Sequence, residues 1–174
     1  MQLKNKKMKK LVLLFVTAVA LVSCGKDKKE TTAEAPKNEA ISLEIEGVYE
    51  KDDSVKVFYQ VAGYLNYDNP IIKTVKGSPL SQKIVFDIPA GIPAENFAIT
   101  ASTNKEQAYI TITNITVKNG NEVIDGGNYK YSENFATDTS FSWDDKNARY
   151  NVSHSNKYPP AIVGKETLVD LMDK

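Results

Sequence analysis

Apolar side chains recur at every second residue from Ile41 onward, and this period of two confines the chain to strands more tightly than any other feature it carries. Val55, Val57, Tyr59 and Val61 share one face of a strand, Ile84, Phe86 and Ile88 share a face of another, and Phe97, Ile99 and Ala101 repeat the pattern. In the long run that follows, Ala108, Ile110 and Ile112 alternate with Tyr109, Thr111 and Thr113 before the apolar phase slips to Ile115 and Val117. A β-bulge near Thr113-Asn114 absorbs a slip of one residue. Leu43 and Ile45 open the domain in the same manner.

Turn chemistry separates these runs at Lys51-Asp52-Asp53-Ser54, Asn66-Tyr67-Asp68-Asn69-Pro70, Ala90-Gly91-Ile92-Pro93, Lys118-Asn119-Gly120-Asn121 and Asp125-Gly126-Gly127-Asn128. Short strands about 8 to 12 residues apart with such punctuation argue for an antiparallel sandwich rather than βαβ units. The expected fold is all-β, a single β-sandwich over residues 41–174, a span large enough for its own core. At the C-terminus, residues 161–163 suit a last strand, and Leu168, Leu171 and Met172 match a short amphipathic helix.

The N-terminus follows a different logic. Lys4, Lys6, Lys7, Lys9 and Lys10 precede an uncharged run from Leu11 to Val22, the order of a secretory signal peptide. That run is shorter than the ~20 apolar residues needed to cross a bilayer core of about 30 Å. Leu21-Val22-Ser23-Cys24 closes it and resembles the lipobox of bacterial lipoproteins, which signal peptidase II cuts before an obligatory cysteine. The resemblance implies removal of residues 1–23, a diacylglycerol on the Cys24 sulfur and a fatty acyl chain such as palmitate on its amine. Two or three chains, at about 0.8 kcal/mol per buried CH₂, anchor a protein that one chain holds only marginally. The membrane is thus an expected partner through a lipid anchor. Translation can start at Met1 or at Met8, since Met8-Lys9-Lys10 is itself a conventional opening.

Loss of the signal removes five of the 22 basic residues and none of the 22 acids, leaving the mature chain at −5. Gly25 stands where several lipoprotein systems carry an inner-membrane retention aspartate, so the resemblance implies the outer membrane. Lys26-Asp27-Lys28-Lys29-Glu30 resembles tags that carry some lipoproteins to the cell surface, and the sequence leaves periplasmic and surface orientations both open. Residues 25–40 hold no aromatic or branched aliphatic side chain and read as a disordered tether with a reach of roughly 20 to 25 Å.

Residues 82–124 resemble galactose-binding-like jelly rolls, in which an apolar strand, a proline turn, a second strand and a long ITITNITV-type strand follow in order. The resemblance implies a jelly-roll-like sandwich and brings no catalytic or ligand residue with it. An immunoglobulin-like sandwich is the alternative, although the cysteine pair with an intervening Trp is absent.

Composition then narrows the chemistry. Arg149 is the only arginine, so arginine clusters that read phosphate are excluded and no nucleic-acid partner is expected. One His and one Cys cannot build a multi-histidine or thiolate metal site. His154 with Ser153 or Ser155 lacks a nucleophile elbow, so a triad is not inferred. The Asp52-Asp53 and Asp144-Asp145 doublets point to opposite sides of a strand and are not glycosidase pairs; Asp52 and Asp53 are read as solvated turn formers. No cofactor is expected, though a structural calcium would have Asp125, Asp138, Asp144 and Asp145 to draw on.

Aromatic and hydrogen-bonding residues are densest over 129–150. A sugar ring stacks its C–H face on an aromatic ring while its hydroxyls seek carboxylates, amides and guanidinium. Tyr129, Tyr131, Trp143 and Tyr150 are the candidate stacking rings, and Asp144, Asn147 and Arg149 the candidate polar contacts. Tyr129 with Tyr131, and Phe141 with Trp143, would share faces if each pair lay on a strand; the competing reading makes these rings the inner layer of the sandwich. The expected role is a non-catalytic envelope binding domain, with glycan as the first ligand class. Service as an assembly partner of an envelope protein is the alternative, and a small hydrolase ranks last.

Overall fold

The computed structural model of the chain describes residues 40–155 and 157–174. The expected signal peptide, Cys24 and residues 25–39 of the expected tether lie outside the described residues. The first sheet contains β1 (Ile41–Tyr49), β5 (Gln82–Asp87), β7 (Tyr109–Asn119), β8 (Glu122–Ile124), β10 (Phe141–Asp144) and β11 (Arg149–Val152). Its order is β10-β11-β7-β1-β5, with β8 also paired to β7. The second sheet contains β2 (Asp53–Val61), β3 (Tyr64–Leu65), β4 (Ile71–Val75), β6 (Asn96–Thr100), β9 (Phe135–Thr137) and β12 (Ala161–Gly164), ordered β3-β2-β6-β12-β9 with β4 beside β2. Every pairing is antiparallel, and the fold is the all-β sandwich that the alternation predicts.

The core forms where the alternating sets meet. Leu43, Ile45 and Tyr49 from β1, Phe86 from β5 and Ile110 from β7 face Val55 and Val57 from β2 and Phe97 and Ile99 from β6, all fully or almost fully buried. The expected bulge is present: Glu46 pairs with Asn114 and Gly47 with Ile112, so Thr113 has no partner opposite it. This extra residue keeps Ile110, Ile112, Ile115 and Val117 all on the inner side. Glycine is required opposite the bulge, because a Cβ at Gly47 would collide with the Thr111 carbonyl oxygen.

Residues 161–163 lie in the last strand, and α2 (Glu166–Met172) follows it, burying Leu168 and Met172. Ala108, expected inward, is exposed, and the neighbouring Gln107 is the buried residue. Asp53 also departs from the sequence reading. It is buried rather than solvated, and its Oδ1 accepts hydrogen bonds from the backbone of Ser54, Thr103 and Asn104 while Ser102 donates to Oδ2. A carboxylate is tolerated there because backbone donors replace its water, and it pins the segment after β6 to the start of β2.

Candidate functional site: an aromatic notch beside β7

The pairing of β7 leaves a gap on one side. β11 pairs with Tyr109 and Ile110, β8 pairs with residues 117–119, and the edge of β7 between them is met by the turn after β8. Gly126 donates its N–H to Thr116 Oγ1 and Tyr129 donates to the Thr113 carbonyl, so this turn runs directly against the strand. A side chain at position 126 would strike the Ile115 carbonyl. Asn128 and Tyr129 then adopt φ of +54° and +64°, a region where a bulky residue such as Tyr is rare and must be held by its surroundings.

This tight turn sets the four candidate rings apart. Tyr131 does not lie on a strand with Tyr129; it begins α1 (Tyr131–Asn134) and is buried in the core, so it corrects the expectation that it stacks on ligand. Phe141 and Tyr150 lie half-buried against the core. Trp143 is 42% exposed and Tyr129 38% exposed. Trp143 pairs across the hairpin with Tyr150, and alternation brings Phe141 to the same face. Tyr150 meets Trp143 edge-on at 5.0 Å between centroids and Phe141 at 5.5 Å; Tyr129 meets Trp143 edge-on at 5.8 Å. Tyr129, Tyr131, Ser132, Trp143 and Tyr150 line a cavity of about 240 Å³.

The hydrogen bonds inside the notch are directional. Tyr131 donates its hydroxyl hydrogen to Tyr150 Oη at 3.1 Å, and burial together with this bond raises the Tyr131 phenol above its ordinary value. Ser132 Oγ donates to the Tyr129 carbonyl at 2.9 Å. Ser132 is not among the sequence candidates; the signal that could have found it is Gly126, where the turn runs so close to β7 that no side chain fits.

The polar candidates do not join the rings. Asp144 and Arg149 are cross-strand partners on the opposite face of the β10–β11 hairpin, because neighbouring residues on a strand point to opposite sides. Arg149 stacks on Tyr109 at 3.6 Å, pairs with Glu50 at 3.2 Å and approaches Asp144 at 3.7 Å. Asn147, in the hairpin turn, donates Nδ2–H to Asp144 at 2.7 Å, which holds the Asp144 carboxyl below the usual range. Asp144 accepts from Asn147 and lies near Arg149, whose Nε makes no hydrogen bond and whose NH1 donates to Glu50, and the expected single surface of rings plus ions is corrected to a neutral notch and a separate ionic face.

The remaining candidates are likewise placed. Asp125 binds the Gly127 N–H, and Asp138 binds the Ser140 and Ala161 N–H groups in a different part of the fold from Asp144. Among the described residues no group of three or more His, Cys, Asp or Glu side chains is gathered to hold a metal. His154 Nε2 lies 3.1 Å from the Gln107 carbonyl, while Ser153 and Ser155 bond each other at 3.0 Å. Among the described residues no helix is long and apolar enough to cross a membrane.

A second surface was not legible in the sequence. The outward positions of the second sheet include Ser54, Lys56, Phe58 and Gln60 on β2, Ile72 and Thr74 on β4, Ala98 and Thr100 on β6, Ala161 and Val163 on β12, and Ala136 on β9. Lys56 is the single charge among them. Tyr67 packs on Phe58 at 5.3 Å, and Tyr67, Ile72 and Val163 are exposed.

No family model matches the chain, and neither a curated protein nor a solved structure matches it.

Proposed function

We propose that this chain is a lipid-anchored lipoprotein of the bacterial envelope whose sandwich is a non-catalytic binding domain, with the aromatic notch as its carbohydrate surface. The observation that carries the reading is the exposure, beside the cavity, of Trp143 on β10 and of Tyr129 on a strained turn, while the neighbouring rings of Tyr131, Phe141 and Tyr150 pack against the core. Rings left in water at the mouth of a cavity supply the stacking surface that a sugar ring requires. The anchor rests on the lipobox at Leu21-Val22-Ser23-Cys24. His154 turns its Nε2 to the Gln107 carbonyl while Ser153 and Ser155 bond each other, an arrangement that supports binding over hydrolysis.

Two measurements test it. Metabolic labelling with a fatty-acid probe marks the wild-type chain and leaves Cys24→Ala unlabelled; label on the variant overturns the anchor. Trp143→Ala abolishes retention on immobilised glycan yet costs about 1 kcal/mol or less of stability, whereas Phe86→Ala, in the core, costs about 3 to 5 kcal/mol. A loss of core size at Trp143 assigns that ring to packing and removes the site.

The alternative, service as an assembly partner, is favoured by the nearly uncharged outer face of the second sheet. A face with one charge and with Ile72 and Val163 exposed on it is of the kind that protein contacts use.

A further inference from the structure

We infer that the notch takes one uncharged sugar ring, a neutral hexopyranose at the end or on a branch of a glycan, and that it selects against uronic, sialic and phosphorylated sugars. The inference rests on the carbohydrate reading above and narrows it to a ligand class. Three observations carry it. Among the described residues the lining is Tyr129, Tyr131, Ser132, Trp143 and Tyr150, with no cation and no carboxylate. The chain's only guanidinium, which would pair with an acidic sugar, is turned to the other face of the hairpin and engaged by Glu50 and Asp144. An anionic ligand would therefore lose its hydration without gaining an ion pair, a cost that a neutral ring does not carry.

Size and hydrogen bonding agree with this. A volume of about 240 Å³ holds roughly eight waters, the space of one ring rather than of a chain. Because Tyr150 Oη already accepts the Tyr131 hydrogen, its own hydrogen is left to donate, and the buried Tyr131 fixes that direction. Ser132 Oγ, having donated to Tyr129, keeps its lone pairs for a sugar hydroxyl. The mouth thus presents a flat apolar ring face, a donor and an acceptor, all neutral. A quaternary ammonium fits less well: Trp143 touches Tyr129 and Tyr150 edge-on at 5.8 and 5.0 Å, so the rings pack on each other rather than around an enclosed space.

The test uses the full chain in detergent on an array that presents oligosaccharides ending in glucose, galactose or N-acetylglucosamine beside others ending in glucuronate, sialic acid or a sugar phosphate, with choline as a separate titrant. Neutral termini are expected to bind, with affinity changing less than about twofold between roughly 0.05 and 0.5 M salt because no ion pair is present to be screened. Tyr150→Phe should weaken binding about fivefold to tenfold by removing one donor, and Tyr131→Phe should weaken it less through lost orientation. Selective binding of acidic glycans, or a steep loss with salt, overturns the neutral-ring inference and leaves the carbohydrate reading standing. Saturable binding of choline at the notch overturns the inference as well. Silence on every glycan, from protein whose melting transition is intact, overturns both.

Discussion

On the outer face of the first sheet, Glu44 lies between Lys83 and Lys118, Lys83 also reaches Glu46 at 3.3 Å, and Arg149 bridges toward Glu50 over the Tyr109 ring. The outer face of the second sheet has Phe58, Ile72, Ala98, Ala136, Ala161 and Val163 together with the uncharged Ser54, Gln60, Thr74 and Thr100 in the equivalent outward positions, with Lys56 the one ion among these residues. Both sheets bury the same kind of inner face, so the core does not account for the difference. Cross-strand ion pairs are how an antiparallel sheet meets water on one side. The notch lies on neither outer face; it continues the inner face of the first sheet past the end of the core, which is why its rings are aromatic and its lining uncharged.

The sharpest way to break the comparison is a charge placed at matched outward positions. Ala98 faces outward yet is only 6% exposed, with Phe58 and Val163 opposite it on the neighbouring strands. Ala98→Asp should therefore cost about 3 kcal/mol by burying a charge without a partner, whereas Thr111→Asp on the first sheet stays within about 0.5 kcal/mol. Denaturant midpoints measure both, and equal costs would mean that the two faces are equally solvated.

A smaller effect is expected from acid. Hydrogen bonds from Lys118 and then Lys83 hold the Glu44 carboxyl below its ordinary value near 4.5. A carboxylate with a depressed folded value contributes stability that is present above the unfolded value and is lost as pH falls through the folded one. Wild-type melting temperature should therefore drop more steeply than that of Glu44→Gln as pH is lowered below about 4.5, and the unfolding free energies of the two proteins should differ by about 1 kcal/mol at neutral pH. Parallel melting curves would deny the ionic ladder any part in the stability of the first sheet.

The smallest effect concerns the exposed apolar side chains alone. The double change Ile72→Lys with Val163→Asp should leave stability within about 0.5 kcal/mol and shorten retention on a phenyl column. If Val48→Asp on the first sheet shortens retention as much, the second face is no more adhesive than the first.

Much of this architecture is legible in the order of residues along the chain. The inward sets at Val55, Val57 and Tyr59 and at Ile110 and Ile112 appear as buried strands, and the phase slip at Thr113-Asn114 appears as a bulge, because period and packing face are the same fact in a strand. The site is legible only as a region. Sequence density brings Trp143, Asp144, Arg149 and Tyr150 together, but residues adjacent in sequence lie on opposite faces of a hairpin, and density cannot distinguish the two faces. Asp53 is misread for a related reason: its partners, residues 102–104, are distant in sequence.

The sequence by itself determined the all-β class and most positions of the inward residues, since each depends on spacing along one chain. Only the tertiary structure decided which aromatics are core and which meet water, because exposure at Trp143 and burial at Tyr131 depend on where the turn at Gly126 crosses the edge of β7. It also decided that one outer face is ionic and the other nearly uncharged. Charges on separate strands become a ladder only when the pairing register sets them opposite one another, and register is a property of the assembled sheet.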